Sequence, residues 1–289
     1  MIIIGMSHGL HIAQKIAKKL KKPYSALEVT HFPDSEIKLR FKVDVKKKIV
    51  VLVQSFYGKI NDCVIETLFA AETARDLGAK KVILVAPYFP YLRQDKRFNP
   101  GECISLRTIA KNIDEDFDEV IICDPHLHRE RTLGHIFKIK SHKLTANPLI
   151  EDYIKKNIKN PVIMGPDWES YKWAQRVAEK IGCEFAIMEK ERYSARKVVV
   201  KLNKKIDITR KNVVFIDDMV STGHTLIEGI KNAKKLGAKK VTCFAVHGIL
   251  VEDALKKLMN VGAKVITANT IPNDSAKIDI SGLVAKALK

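Results

Sequence analysis

The chain has no C-x-x-C pair, and its five cysteines (Cys63, Cys103, Cys123, Cys183 and Cys243) are odd in number and far apart. That spacing excludes a zinc ribbon and a disulfide framework, and leaves five thiols expected to be buried. No apolar run approaches the ~18 residues of a membrane span, so no membrane partner is expected. Neither a G-x-x-x-x-G-K-[ST] loop nor a G-x-G-x-x-G fingerprint occurs. Any nucleotide is therefore held without a P-loop, and a dinucleotide cofactor is disfavoured. Acids are scarce, with 33 Asp and Glu against 51 Lys and Arg, a formal charge of +18. Such an excess raises nucleic acid as a partner. The lysines, however, come as scattered pairs such as Lys18–Lys19, Lys80–Lys81 and Lys234–Lys235, and no arginine-rich stretch with interleaved aromatics occurs. A single-strand platform needs both. Solvated helix faces or anionic phosphorylated substrates explain the charge better, and no nucleic-acid partner is expected. The opening MIIIGMSHG has neither a basic stretch nor a cleavage site, so it reads as a first strand and the expected location is cytoplasmic.

What the chain does have is regular alternation. Apolar runs at Ile2–Gly5, Ile49–Gln54, Val82–Ala86, Val120–Cys123, Val162–Met164, Val213–Ile216, Val241–Val246 and Val265–Thr267 read as strands. Amphipathic stretches between them, such as Leu10–Leu20, Cys63–Leu77 and Tyr171–Ile181, read as helices. Segments flanking HFPDSE read as a hairpin. Strands alternating with helices predict α/β domains with parallel, doubly wound sheets. At 289 residues two domains fit. An internal echo supports them: LGAKKV occurs at Leu77–Val82 and again at Leu236–Val241, and the preceding strands IVVLVQSF and NVVFIDDM also correspond. The boundary is placed between residues 144 and 145, giving domains 1–144 and 145–289.

In parallel sheets of this kind ligands bind beyond the carboxyl ends of the strands. The polar motifs RQDK, DPH, GPD and DDMVSTGHT all follow strand ends. The richest is the last. Asp217 and Asp218 end an apolar strand, then Ser221, Thr222, Gly223, His224 and Thr225 lead into a helix. A strand, a polar turn and a helix N-terminus make an anion site, because the orphan N–H groups and the helix dipole point at the turn. The paired aspartates suit sugar hydroxyls or a metal, so the stretch reads as a cradle for a sugar phosphate. As chemistry alone, the pair fits a metal site, a general base or a hydroxyl clamp, and the bland alternative is a solvated, helix-capping turn.

Other candidates are weaker on their own. Arg93, Gln94, Asp95 and Lys96 lie in the long proline-broken segment 87–102, a loop length that usually carries function. His126 follows Asp124 at a strand end and suits a magnesium–phosphate complex, with His128 competing for that role. Asp167 is a hard oxygen donor suited to Mg2+ held through waters. Lys190 and Arg192 lie in EKERYSARK, which fits either a lid that brings cations onto a transferring group or an exposed hairpin tip.

Taken together, VVFIDDMVSTGHT, the run from QSFYGKIND to YFPYLRQDKRF, and the DPH and KER segments resemble the ribose-phosphate pyrophosphokinases, built on the type I phosphoribosyltransferase fold. The resemblance covers essentially the whole chain. It implies two similar phosphoribosyltransferase-like domains, the first contacting ATP with a degenerate site of its own and the second holding ribose 5-phosphate. It implies transfer of the β,γ-diphosphoryl group of ATP to the anomeric hydroxyl, with Mg2+ as cofactor. The alternatives are a nucleobase phosphoribosyltransferase and a non-catalytic regulatory subunit of the same fold. By the same resemblance Asp217 and Asp218 hold ribose hydroxyls, and Ser221, Thr222, Gly223, His224 and Thr225 cradle the 5-phosphate. Arg93, Gln94 and Asp95 contact ATP. Phe32, Asp34 and Glu36 reach the adenine site of a neighbouring subunit, which implies a homo-oligomer. His126 and Asp167 lie at metal positions, and Lys190 and Arg192 match a catalytic flexible loop. Two departures stand out: His224 where a small residue is usual, and Trp168–Glu169 in place of small residues after Asp167.

Overall fold

Short apolar runs bounded by polar turns become strands, and the 3.6-residue periods between them become the helices that cover those strands. The structure is a computed structural model that describes residues 1–127, 132–168, 170–194, 197–203 and 206–289, with side chains left out over 189–194 and 197–202. His128 and Glu169 lie outside the described residues, as do the side chains of Lys190 and Arg192. The chain falls into two compact units, Met1–Thr145 with Ile280–Lys289, and Ala146–Asp279. The expected boundary put residues 280–289 in the second domain, whereas their contacts group them with the first.

The first unit runs β1 (Ile2–Gly5), α1 (Leu10–Leu20), β2 (Tyr24–Ala26), β3 (Glu28–His31), β4 (Ile37–Arg40), β5 (Ile49–Val53), α2 (Ile60–Asp76), β6 (Lys81–Ala86), α3 (Ser105–Asp116), β7 (Glu119–Cys123) and β8 (Lys140–Leu144). Its main sheet is parallel throughout, in the order β2-β1-β5-β6-β7-β8, while β3 and β4 pair separately as an antiparallel hairpin. All of β1 and nearly all of β5 and β6 are buried, as expected for parallel strands covered on both faces. Each buried Val or Ile side chain there contributes roughly 1.5–3 kcal/mol. Helix α1 buries Ile12, Ala13, Ile16 and Ala17 and stops where Lys21 turns left-handed, with Lys18 and Lys19 in its last turn opposing the dipole.

The second unit repeats the plan with α4 (Asn147–Asn157), β9 (Pro161–Gly165), α5 (Tyr171–Ile181), β10 (Phe185–Ser194), β11 (Lys197–Leu202), β12 (Asn212–Val220), α6 (His224–Lys235), β13 (Lys240–Gly248), α7 (Ala254–Asn260), β14 (Ala263–Ala268) and β15 (Ala276–Ile278). The sheet order is β10-β9-β12-β13-β14-β15, extended past β10 by the antiparallel β11. The last helix, α8 (Ser281–Ala287), packs on α1 of the first unit.

The two sheets share one winding. In each sheet the first parallel strand lies between the second and third parallel strands, so the winding reverses between β1 and β5, and again between β9 and β12. That reversal is where open α/β sheets place ligands. The sequence echo thus reflects one topology used twice. Among the described residues no helix is long and apolar enough to cross a membrane.

Three local expectations change. Asp217 and Asp218 lie inside β12, which pairs with β13 as far as Val220, although its pairing with β9 ends at Phe215. Lys190 and Arg192 lie within strand β10, paired antiparallel with Val200 and Val198 of β11, and not in an irregular loop. Cys63, Cys123 and Cys243 are buried as expected, but Cys103 is exposed in the polar loop and Cys183 is half-buried.

Candidate active site

The winding reversal of the second unit gathers the carboxylates. β9 ends at Gly165, where a side chain is excluded: a Cβ there would lie 2.3 Å from Ser170 Oγ and 2.4 Å from Ile187 Cδ1. The chain bends just past it, at Pro166 and Asp167. Ser170 then ties the turn down, its N–H donating to Asp167 Oδ1 at 3.2 Å and its hydroxyl to the Asp167 carbonyl at 2.7 Å. On the adjacent strand β12, the Asp218 N–H donates to Asp217 Oδ1 at 3.0 Å. Burial pushes the Asp217 carboxyl well above the usual carboxylate range, and the charges of Asp218 and Asp167 push it further. Asp167 and Asp218 are therefore both close enough to Asp217 for their charges to act on it, near the carboxyl edge of the sheet.

Beyond Val220 the chain turns through Ser221 and Thr222 into α6. Gly223 has φ +74° and opens α6, a conformation that carries no Cβ penalty only in glycine. No side chain caps α6, so the N–H groups of its first turn are available to a ligand anion. Ser221, Thr222 and Thr225 are half-buried around that turn, and His224, the first helical residue, points to solvent. With its imidazole turned outward, the larger residue at 224 leaves the backbone approach at Gly223 open. Acids that favour hydroxyls and a bare helix N-terminus that favours a phosphate thus stand side by side, as a sugar phosphate requires.

Trp168 is 57% exposed and stacks on Tyr171, with ring centroids 5.4 Å apart. Nothing in the sequence pattern shows that stack, which gives the large residue after Asp167 a seat on α5. Strand β10 runs parallel to β9 as far as Ile187, opposite Gly165. Lys190 lies three residues further along, about 10 Å past that level at ~3.3 Å per residue. The hairpin backbone therefore projects from the same carboxyl edge as Asp167.

In the first unit the remaining candidates follow strand ends. Phe32, Asp34 and Glu36 are all exposed at the tip between β3 and β4. The tip is shaped by Ser35 at φ +75° and by the Glu36 N–H donating to Asp34 Oδ1 at 3.2 Å. Lys38 Nζ lies 5.8 Å from the Phe32 ring centroid. Arg93 and Gln94 are exposed and Asp95 is half-buried in the loop after β6. Tyr91, at φ +61°, starts that turn, the Gln94 N–H donates to the Tyr91 carbonyl at 3.0 Å, and Ser105 Oγ lies 2.5 Å from Gln94 Oε1. His126 is half-buried just after β7, the parallel neighbour of β6, so Arg93 and His126 belong to adjacent strand ends of one sheet. None of these residues lies at that sheet's own winding reversal between β1 and β5.

Comparison with known proteins identifies the family to which this fold belongs. Residues 1–115 match the N-terminal domain of ribose phosphate pyrophosphokinase, and residues 132–280 match the phosphoribosyl transferase domain. A ribose-phosphate pyrophosphokinase of Methanothermobacter thermautotrophicus is 34% identical over 290 residues, covering 100% of both chains. One from Saccharolobus solfataricus is 36% identical over 294 residues, again covering 100% of both. The crystal structure of a phosphoribosylpyrophosphate synthetase from Mycobacterium smegmatis matches with a TM-score of 0.87 at 25% identity, over 99% of this chain and 97% of that one. With both halves matched and full-length relatives above 30% identity, the chain belongs to the ribose-phosphate pyrophosphokinase family.

Proposed function

We propose that the enzyme transfers the β,γ-diphosphoryl group of ATP to the anomeric hydroxyl of ribose 5-phosphate, giving 5-phosphoribosyl 1-diphosphate and AMP for nucleotide biosynthesis. The hydroxyl oxygen attacks the β-phosphorus in line, the bond from that phosphorus to the α–β bridging oxygen breaks, and the hydroxyl proton is lost to solvent. The observation that carries this reading is the meeting of Asp167, Asp217 and Asp218 with the uncapped start of α6. Asp217 and Asp218 hold the ribose hydroxyls. The turn from Ser221 to Thr225 holds the 5-phosphate on its backbone N–H groups, in the way helix N-termini hold anions.

Little covalent work falls to the protein in such a transfer; positioning and charge neutralisation dominate. Arg93, Gln94 and Asp95 contact ATP, and His126 sits by its phosphates. Lys190 and Arg192 meet the charge that builds on the moving diphosphoryl group. Mg2+ fits the donors here: it is commonly held by one or two carboxylates together with substrate phosphates, and crowded acids such as Asp167 and Asp217 favour a nearby cation. His126 would stand by the ion carried on the ATP phosphates and Asp167 would hold a second ion; when bound, each would neutralise phosphate oxygens. Phe32, Asp34 and Glu36 complete the ATP site of a neighbouring subunit, making the enzyme a homo-oligomer. Their exposure at a hairpin tip, with a large aromatic side chain half out of its own unit, supports that role. We place the enzyme in the cytoplasm, where both substrates are found.

A phosphorus NMR time course with Mg–ATP and ribose 5-phosphate tests the reading. Growth of AMP and of a sugar-linked diphosphate at equal rates is expected. Growth of ADP, or turnover only when phosphoribosyl diphosphate and a nucleobase are supplied, would overturn it.

A further inference from the structure

The first unit has the same winding reversal as the second, between β1 and β5. The corresponding positions carry different chemistry. Two residues past the end of β9 stands Asp167; two residues past the end of β1 stands Ser7. Where β12 carries Asp217 and Asp218, the echo places Gln54 and Ser55 after β5. Acids line the crevice of the second unit, and neutral hydrogen-bonding groups line that of the first.

Into those groups α2 delivers a carboxylate. Glu66 is only 3% exposed. Its Oε1 accepts the Ser7 N–H at 2.9 Å and its Oε2 accepts the Ser7 hydroxyl. Ser7 directly precedes the turn into α1, whose N-terminus has no side-chain cap. Ser7 Oγ also lies 3.1 Å from His8 Nδ1. Cys63 Sγ lies 3.1 Å from the same nitrogen. The His8 N–H donates to Gln54 Oε1 at 2.9 Å, which fixes the Gln54 amide inside the crevice. Gln54 is fully buried, and its Nε2 has no hydrogen-bond partner among the described residues. A buried amide donor without an acceptor is costly, and it marks the crevice as polar and not as packed core.

We propose that the β1–β5 crevice is an anion cradle, of the kind the second unit uses for its ligand, and that the chain occupies it with its own Glu66 carboxylate. The cradle takes a small free carboxylate once Glu66 is shortened. Its walls say why a larger ligand is shut out: a Cβ on Gly9 would lie 1.8 Å from the Val53 carbonyl oxygen, so the start of α1 is pressed against the end of β5.

Glu66→Ala in the full-length protein removes the equivalent of one acetate. The expected result is a melting temperature several degrees below the parent. Acetate should then raise it saturably in the millimolar range, while sodium chloride at equal ionic strength should not. The parent protein should respond to the two salts alike. A Glu66→Ala protein that responds to acetate no more than the parent would overturn the proposal. Should that variant fail to fold, Glu66→Met keeps the volume but offers no acceptor. It should melt below the parent and ignore acetate, and a Glu66→Met protein as stable as the parent would equally overturn the proposal.

Discussion

Asp167 and Asp217 each stand just past the pairing between β9 and β12, and the charge of the first raises the proton affinity of the second. The crevice is thus electrostatically uncomfortable when empty. Ribose hydroxyls or a cation relieve it, so the same crowding that destabilises the free enzyme favours its ligands.

Asp217→Asn tests that tension. Because the Asp217 carboxyl is raised in the fold, the stability tied to its protonation is full below the ordinary aspartate value of ~3.9 and is lost as pH rises through its raised value in the folded unit. The asparagine stays neutral throughout. The free variant should therefore melt about 2–6 °C above the parent at pH 7–8, a gap that closes as the pH is lowered, while activity falls at least ~10²-fold. Melting curves across pH check it; a gap that widens on acidification contradicts it.

Asp167→Asn should raise the magnesium concentration for half-maximal activity by about 10–100-fold, the usual scale for an acid that orients metal-bound water. It should also lower the Asp217 proton affinity, seen as a smaller pH dependence of melting. An unchanged magnesium requirement would remove Asp167 from the metal site.

Gly223→Ala isolates the backbone of the phosphate turn. A Cβ there would rest at an ordinary 3.4 Å from Leu258 Cδ1, so the cost is that of a left-handed alanine, roughly 1–2 kcal/mol. The Michaelis constant for ribose 5-phosphate should rise by more than ~10-fold with a smaller change for ATP. Equal changes in both would mean that the turn does not hold the pentose.

Lys190→Ala should cost on the order of 10²–10⁴ in kcat with a much smaller change in KM. Steady-state kinetics with each substrate varied in turn separates the two. A loss confined to KM would mean a binding role and not a transition-state one.

Long buried strands were legible in the sequence because nothing but a covered parallel strand suits runs such as VVFI or IVVLV. The α1 and α5 limits were equally plain from their apolar stripes. The strands β2, β8 and β15 were not: β2 and β15 have three residues each, and the KSHKL of β8 has no buried residue, so none carries a hydrophobic signal. Helix α7 begins only at Ala254, because Leu250, Glu252 and Asp253 take left-handed backbone that no apolar pattern reveals. The continuation of β12 through Asp217 and Asp218 depends on its partner β13, a long-range pairing. The candidate site was legible for a different reason: its residues stand consecutively at strand ends, where local chemistry is enough. What could not be read was the Asp167–Asp217 juxtaposition and the Trp168–Tyr171 stack, which exist only once strands and helix meet.

The most direct measurement follows one oxygen atom. Ribose 5-phosphate labelled with oxygen-18 at the anomeric hydroxyl is turned over with Mg–ATP, and the products are read by phosphorus NMR and mass spectrometry. If that hydroxyl attacks the β-phosphorus, the label lies in the bridge between sugar and diphosphate and the AMP is unlabelled. A bridge without the label, or labelled AMP, would contradict the mechanism.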